Sequence, residues 1–320
     1  MDKKTKISLI CATSLILFGA ILFGGVMMTV NFDFSKLSTV KYVTNTHNIG
    51  NDFKDISIIS NTADITFTPS DTDESVITCY EQTKITHSVN VIDGVLNIKI
   101  EDTRKWYEHI GISFETPKIT VSIPKGEYGK LTIKSSTGDV NIPDSFKFES
   151  IDITESTGHV TNLASASGDI NIKTSTGNII VDKISANNLN LSVTTGKITI
   201  NDIYCKGDIS INVSTGKAEL FNAKCKNLAS KGSTGNINLE NVISENKMEI
   251  ERDTGHVNFT KCDAGQVDIE TDTGNVKGSF LSEKIFFAET DTGSVNVPKT
   301  TSGGKCEIST DTGNIKITVE

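Results

Sequence analysis

The chain has 320 residues and a net charge of −9, from 31 Lys and Arg against 40 Asp and Glu. Only Arg104 and Arg252 are arginines, which argues against a nucleic-acid partner, because phosphate recognition needs a clustered basic face. With 36% apolar residues and 25 glycines a packed core is available, so wholesale disorder is excluded. Five prolines exclude a Pro-rich stalk, and the six cysteines contain no C-x-x-C pair, so neither a zinc ribbon nor a thioredoxin-like redox site is expected.

Residues 7–30 carry no charge and are rich in Leu, Ile, Phe and Met. A helix rising 1.5 Å per residue over this run spans a ~30 Å hydrocarbon core. Lys3, Lys4 and Lys6 precede it, placing residues 1–6 in the cytoplasm by the positive-inside rule. The run exceeds the roughly 7–15 residues of a signal-peptide core, and no A-x-A site follows. The expectation is a retained single transmembrane helix, a cell-membrane location, and an extracellular C-terminal domain. Cys11 follows Leu9 and Ile10, which is not a lipoprotein pattern, and reads as an apolar membrane cysteine.

Residues 31–50 read as a polar tether. Residues 51–130 alternate as strands, for example Asp55-Ile-Ser-Ile-Ile, Ala63-Asp-Ile-Thr-Phe and Val95-Leu-Asn-Ile-Lys-Ile. From 131 to 320 the chain repeats. Thr-Gly recurs with Gly at 138, 158, 177, 196, 216, 235, 255, 274, 293 and 313, at intervals of 19 or 20 residues. Two positions after each Gly the residue is apolar in all ten copies. Four positions after, Asn162 and Gly278 are the exceptions. Seven before, all ten are apolar, and five before only Ser230 departs. This period of two marks half-buried strands. A unit of this size buries about five apolar side chains, worth roughly 1.5–3 kcal/mol each, too little to order twenty residues alone. Stacking on like neighbours supplies the missing core. The predicted fold is all-β: a parallel β-solenoid of about ten rungs behind a strand-rich capping layer at 51–130. An antiparallel meander with Thr-Gly hairpins is the competing architecture.

Ala63-Asp-Ile-Thr-Phe, Asp93-Gly-Val-Leu-Asn-Ile and Val121-Ser-Ile-Pro124, followed by serial Ser-Thr-Gly-Asp-Val-Asn-Ile, resemble a bacterial family of membrane-anchored β-helical domains of unknown function, labelled "putative adhesin". The resemblance covers about residues 45–320. It implies a single-pass envelope protein, sometimes associated with envelope-stress systems, and no catalytic residues.

Several residues invite sharper readings. Asp253, Asp272, Asp291 and Asp311 open four Asp-Thr-Gly tripeptides, the aspartic-protease motif. Those enzymes need two such loops facing each other, whereas here the slot holds Ser or Thr in the first six rungs, so a repeat turn is expected. Four stacked carboxylates about 4.8 Å apart would repel. Asx hydrogen bonds within each turn and exposure to water are the simpler relief, and a bridging calcium ion is the alternative. His159 and His256 share a slot but lie five rungs apart, too far to share an ion, while His47, His87 and His109 show no acidic or Cys partner at ligand spacing. Lys197 and Lys217 are the one cationic pair beside Gly. Trp106-Tyr107 reads as capping-layer packing, with a ligand-stacking platform or a partner anchor as the alternatives. Cys205 and Cys225 fall at nearly one phase on adjacent rungs, close enough for a disulfide in an exported domain, while Cys306 occupies the apolar column. No cofactor and no catalytic residue is expected. The best functional reading is a non-enzymatic, membrane-tethered adhesin-like or envelope-scaffold module with an envelope protein or polysaccharide as partner. An accessory or sensor subunit of an envelope-stress system, and a carbohydrate-active enzyme, are the alternatives.

Overall fold

The computed structural model describes residues 2–33, 36, 38, 40–109, 113 and 115–320, without the side chains of Tyr107 and His109. Helix α1 spans Lys3–Thr29. Asp2 caps it, its carboxylate accepting from the Thr5 N–H at 2.7 Å and satisfying one of the free donors of the first turn. The helix is long and apolar enough to cross a membrane.

Seven strands build the N-terminal end: β1 (Tyr42–Ile49), β2 (Asp55–Ile59), β3 (Asp64–Ser70), β4 (Ser75–Gln82), β5 (Ile85–Ile92), β6 (Val95–Asp102) and β7 (Lys118–Pro124). The stretch expected as a tether therefore contains β1, which pairs antiparallel with β4 along its whole length. Strands β2 and β3 form a rung in register with the first repeat, Ile58 opposite Ile133 and Ile65 opposite Val140. Ala63 stands in the glycine slot there: a Cβ on Gly138 would lie 2.3 Å from the Ala63 carbonyl oxygen. One layer further out, β6 and β7 stack parallel on β2 and β3. Then the polarity reverses, because β5 lies antiparallel on β6 and β4 antiparallel on β7. The open edge of the parallel stack is thus covered rather than left as a template for aggregation.

The repeats form a parallel β-solenoid of about ten turns. Columns run in register, with Leu131, Ile151, Ile170, Leu189 and Ile209 directly opposite one another and all at 0% exposure. Each rung has the strand before Gly, a strand just after it, and a short third segment carrying buried residues such as Ala164 and Ala166. The glycines are required by close approach. A Cβ on Gly158 would sit 1.8 Å from the Gly138 carbonyl oxygen, and Gly177, Gly196, Gly216 and Gly235 are as tight, at 1.6–1.9 Å. At the next corner, Lys183, Asp202, Asn222, Asn241 and Lys261 take φ of 52–53°, a left-handed turn that Asn and Asp tolerate best.

The last two rungs are exchanged in space. The strand Val257–Thr273 pairs with Gly304–Thr312, and only then does Lys284–Thr292 follow. The Gly313 rung is therefore sandwiched between the Gly274 and Gly293 rungs. Sequence order placed the Asp residues on successive rungs, and the actual order is Asp253, Asp272, Asp311, Asp291. The exchange leaves the rung that runs into Pro298 at the exposed end. Cys306, Ile308, Ile315 and Ile317 are buried, whereas Phe286, Ala288 and Val297 of the outermost rung are only half-buried. The outermost rung also has a second strand of only two residues, Val295–Asn296, and Pro298 just beyond it, which cannot donate to another layer.

Candidate functional site

Three exceptions to the repeat are explained by their contacts, two of them with the neighbouring rung. Ser230 accepts from the Arg252 Nη2 at 2.7 Å. Gly232 stands opposite Arg252, and a Cβ there would lie 2.5 Å from its Nη1. The buried guanidinium, lowered to about 10 by desolvation, thus occupies room left by two small residues. Gly278 likewise makes way for the Phe259 ring, 2.3 Å from its virtual Cβ, which packs on Phe280 at 4.7 Å. Asn162 donates to the Ala164 carbonyl at 3.0 Å. Glu155 faces the same interior. It is 1% exposed, neither carboxylate oxygen has a hydrogen-bond partner among the described residues, and burial pushes it up to about 7. The Ser135 hydroxyl donates to the Thr137 carbonyl instead, and the charges of Asp139 and Asp64 add to the shift.

Outside, the residue after each glycine forms a ladder. Asp64 accepts from the Asp139 N–H, Asp139 from His159, His159 Nδ1 from Asn178, and Asn178 from Lys197, at 2.8–3.0 Å. Beyond the Lys197–Lys217 interruption it resumes through Asn236, His256, Asn275, Asn314 and Ser294, at 2.8–2.9 Å. His159 and His256 are therefore acceptors in a stacking ladder, with Nδ1 unprotonated. Lys197 pairs with Glu219 at 2.6 Å.

The outward face of the strand before Gly is divided by charge. Its three outward slots in the rungs from Gly138 to Gly235 contain one carboxylate, Asp152, among hydroxyls, amides and three lysines. Asn171 donates to Asp152 and Asn190 to Asn171, both at 2.8 Å. In the four outer rungs the same slots hold ten carboxylates: Glu249, Glu251 and Asp253, then Asp268, Glu270 and Asp272, then Glu307 and Asp311, then Glu289 and Asp291. Lys231, Lys247 and Lys305 offset part of this charge through pairs with Glu251, with Glu249 and Asp268, and with Glu307, at 2.5–3.3 Å. Asp253, Asp272, Asp311 and Asp291 are exposed, and their carboxylates accept no hydrogen bond within their turns among the described residues. The Asp-Thr-Gly tripeptides stack along one edge and do not face one another.

Cys205 and Cys225 are buried thiols on adjacent rungs, and burial pushes both up to about 12. Trp106 is 84% exposed on a 3-10 turn, so it projects outward rather than packing in the cap; the Tyr107 and His109 side chains lie outside the described residues. His87 corrects the expectation from sequence. It lies against Glu81 and Cys79, brought together by two strands whose partnership spacing in the chain does not show.

A membrane-anchorable β-solenoid with close-packed Thr-Gly corners is the class these features define. The chain belongs to the Toastrack family DUF4097, whose profile matches residues 53–318. Among solved structures, a "putative adhesin" from Bacteroides fragilis is 17% identical with a TM-score of 0.44, covering 74% of this chain and 97% of that one. A "putative lipid binding protein" from Parabacteroides distasonis is 16% identical with a TM-score of 0.47, covering 73% and 96%. A "putative cell adhesion protein" from Clostridium sporogenes is 12% identical with a TM-score of 0.28, covering 88% and 100%. No curated protein matches the chain.

Proposed function

We propose that the chain is a non-enzymatic, membrane-tethered rod that displays one long β face outside the cell as an adhesin-like or envelope-scaffold module. The observation that carries this reading is the divided outward face, hydroxyl-rich with few carboxylates on the rungs nearer the cap and dense in carboxylates on the four outer rungs. Such a face attracts a cationic polymer or basic protein surface over distances of about a Debye length, ~8–10 Å at moderate salt. Its ladders fix the side chains in a regular array, so binding costs little ordering entropy. A groove on this face, lined by Asp152, Asn171, Asn190 and Asn212, suits an extended partner lying along the rod.

The test uses proteoliposomes bearing the full chain, co-sedimented with isolated cell envelopes at low and high salt. Salt-sensitive retention is expected. It should fall at least several-fold when Glu270, Asp272 and Asp311 are exchanged for Gln, Asn and Asn. Retention no greater than that of empty liposomes would remove the reading.

A further inference from the structure

Strands β4 and β5 pair at one position only, Gln82 with Ile85. They then part, β4 lying along β7 and β5 along β6, and a wedge opens between them. Cys79 and Glu81, alternate residues on one face of β4, and His87 of β5 fill it. One thiol, one carboxylate oxygen and one imidazole nitrogen lie within 4.8 Å of one another, at 0%, 1% and 5% exposure. Two of the three are held from behind. Glu81 Oε1 accepts from the Asn45 amide at 2.6 Å, and Oε2 is left 2.7 Å from His87 Nδ1. His87 Nε2 is 3.1 Å from the Ser60 hydroxyl.

We propose that this wedge is a binding site for one zinc-class divalent ion, with Cys79 Sγ, Glu81 Oε2 and His87 Nδ1 as ligands and water in the fourth position. The ligand set selects the ion: one sulfur, one nitrogen and one oxygen suit a borderline metal, while calcium and magnesium demand oxygen. Without an ion, Glu81 and His87 bond each other at 2.7 Å and the Cys79 thiol lies beside them; an ion entering the wedge replaces that hydrogen bond with coordinate bonds from all three groups. The outer partners have the form that metal sites use, in which the ring nitrogen away from the ion bonds a second residue and the ligating carboxylate is itself hydrogen-bonded. On binding, the ion takes the Nδ1 lone pair, the ring proton sits on Nε2 and is donated to Ser60 Oγ, and the Cys79 thiol proton leaves to solvent. The ion would bridge β4 to β5 and, through Asn45, brace β1. Ser60, His87 and Glu81 also follow the order nucleophile, base, orienter. However, Ser60 is only 6% exposed, too little surface to receive a substrate.

Cobalt(II) titrated into the detergent-solubilised full chain provides the test. One equivalent should bind with a thiolate-to-cobalt charge-transfer band and tetrahedral d–d absorption, and zinc should displace it. Cys79→Ser and His87→Gln should lose the band, and Cys262→Ser, a buried thiol elsewhere in the core, should keep it. Should the cap variants fail to fold, native mass spectrometry of the unaltered chain decides, because it should show a single zinc adduct removed by chelator. No charge-transfer band, a band surviving Cys79→Ser, or no zinc adduct would overturn the proposal.

Discussion

The two ends of the stack meet one problem, an unpaired parallel edge, in different ways. At the N-terminal end the chain reverses strand polarity: β4 and β5 run antiparallel over β7 and β6, and β1 over β4. The layers beneath are fully buried, with Leu96, Ile98 and Val121 at 0%. At the C-terminal end no reversal occurs. The weakest rung is displaced outward, and its Phe286 and Ala288 stay half-buried beside a concentration of carboxylates. One end is closed by topology, the other by a thin sacrificial layer and charge repulsion. The lateral face, not either tip, is left as the large ordered surface.

The sharpest way to test the stack between the ends is a charge in its core. Ile211→Asp should destabilise the protein by about 3–5 kcal/mol, since a carboxylate would be buried unpaired, while Asn212→Asp, facing out, should be neutral. Equal melting of the two variants would break the assignment of faces. Gly216→Ala comes next. Its φ of 139° and a virtual Cβ 1.7 Å from the Gly196 carbonyl should cost about 2–4 kcal/mol, whereas Gly126→Ala, with nothing within 4 Å, should cost little in a urea titration.

Glu155 distinguishes the cap-proximal rungs from the outer ones by pH. Its folded pKa is raised to about 7, so the folded state binds the proton more tightly than the unfolded chain. Its contribution is therefore complete below the ordinary carboxylate range and lost as pH rises through about 7. The shift corresponds to about 3 kcal/mol. Glu155→Gln should raise the melting temperature at pH 8 and flatten the decline between pH 5 and 8; an unchanged pH profile would show that the carboxylate is hydrated. A smaller effect belongs to the corner ladder. His256→Leu removes the acceptor for the Asn275 N–H and should cost about 1 kcal/mol, with His256→Asn restoring most of it.

Much of this was legible because the fold is written as period and register. The ten glycines, the apolar columns and the parallel stacking follow from spacing alone. What escaped has its cause one rung away, where linear order is silent. Ser230 looks like a blemish until Arg252 is placed opposite Gly232, and Gly278 until the Phe259 ring is seen. The rung exchange could not be read from turns, because all ten carry the same Thr-Gly chemistry. Of the wedge, nothing was read from sequence, where His87 showed no acidic or Cys partner at ligand spacing. His87 joins Cys79 and Glu81 only because the hairpin splays after a single pairing.

The account rests on which outer rungs are neighbours, since that order sets the array of carboxylates on the displayed face. Engineered disulfides read it directly. Glu270 lies opposite Ser309, and Ser309 opposite Glu289. The pair Glu270→Cys and Ser309→Cys should therefore crosslink through a short bis-thiol reagent in the folded full chain, while Glu270→Cys with Glu289→Cys, two rungs apart, should do so far less. Efficient crosslinking of Glu270→Cys to Glu289→Cys together with failure of the first pair would show rungs stacked in chain order and contradict it.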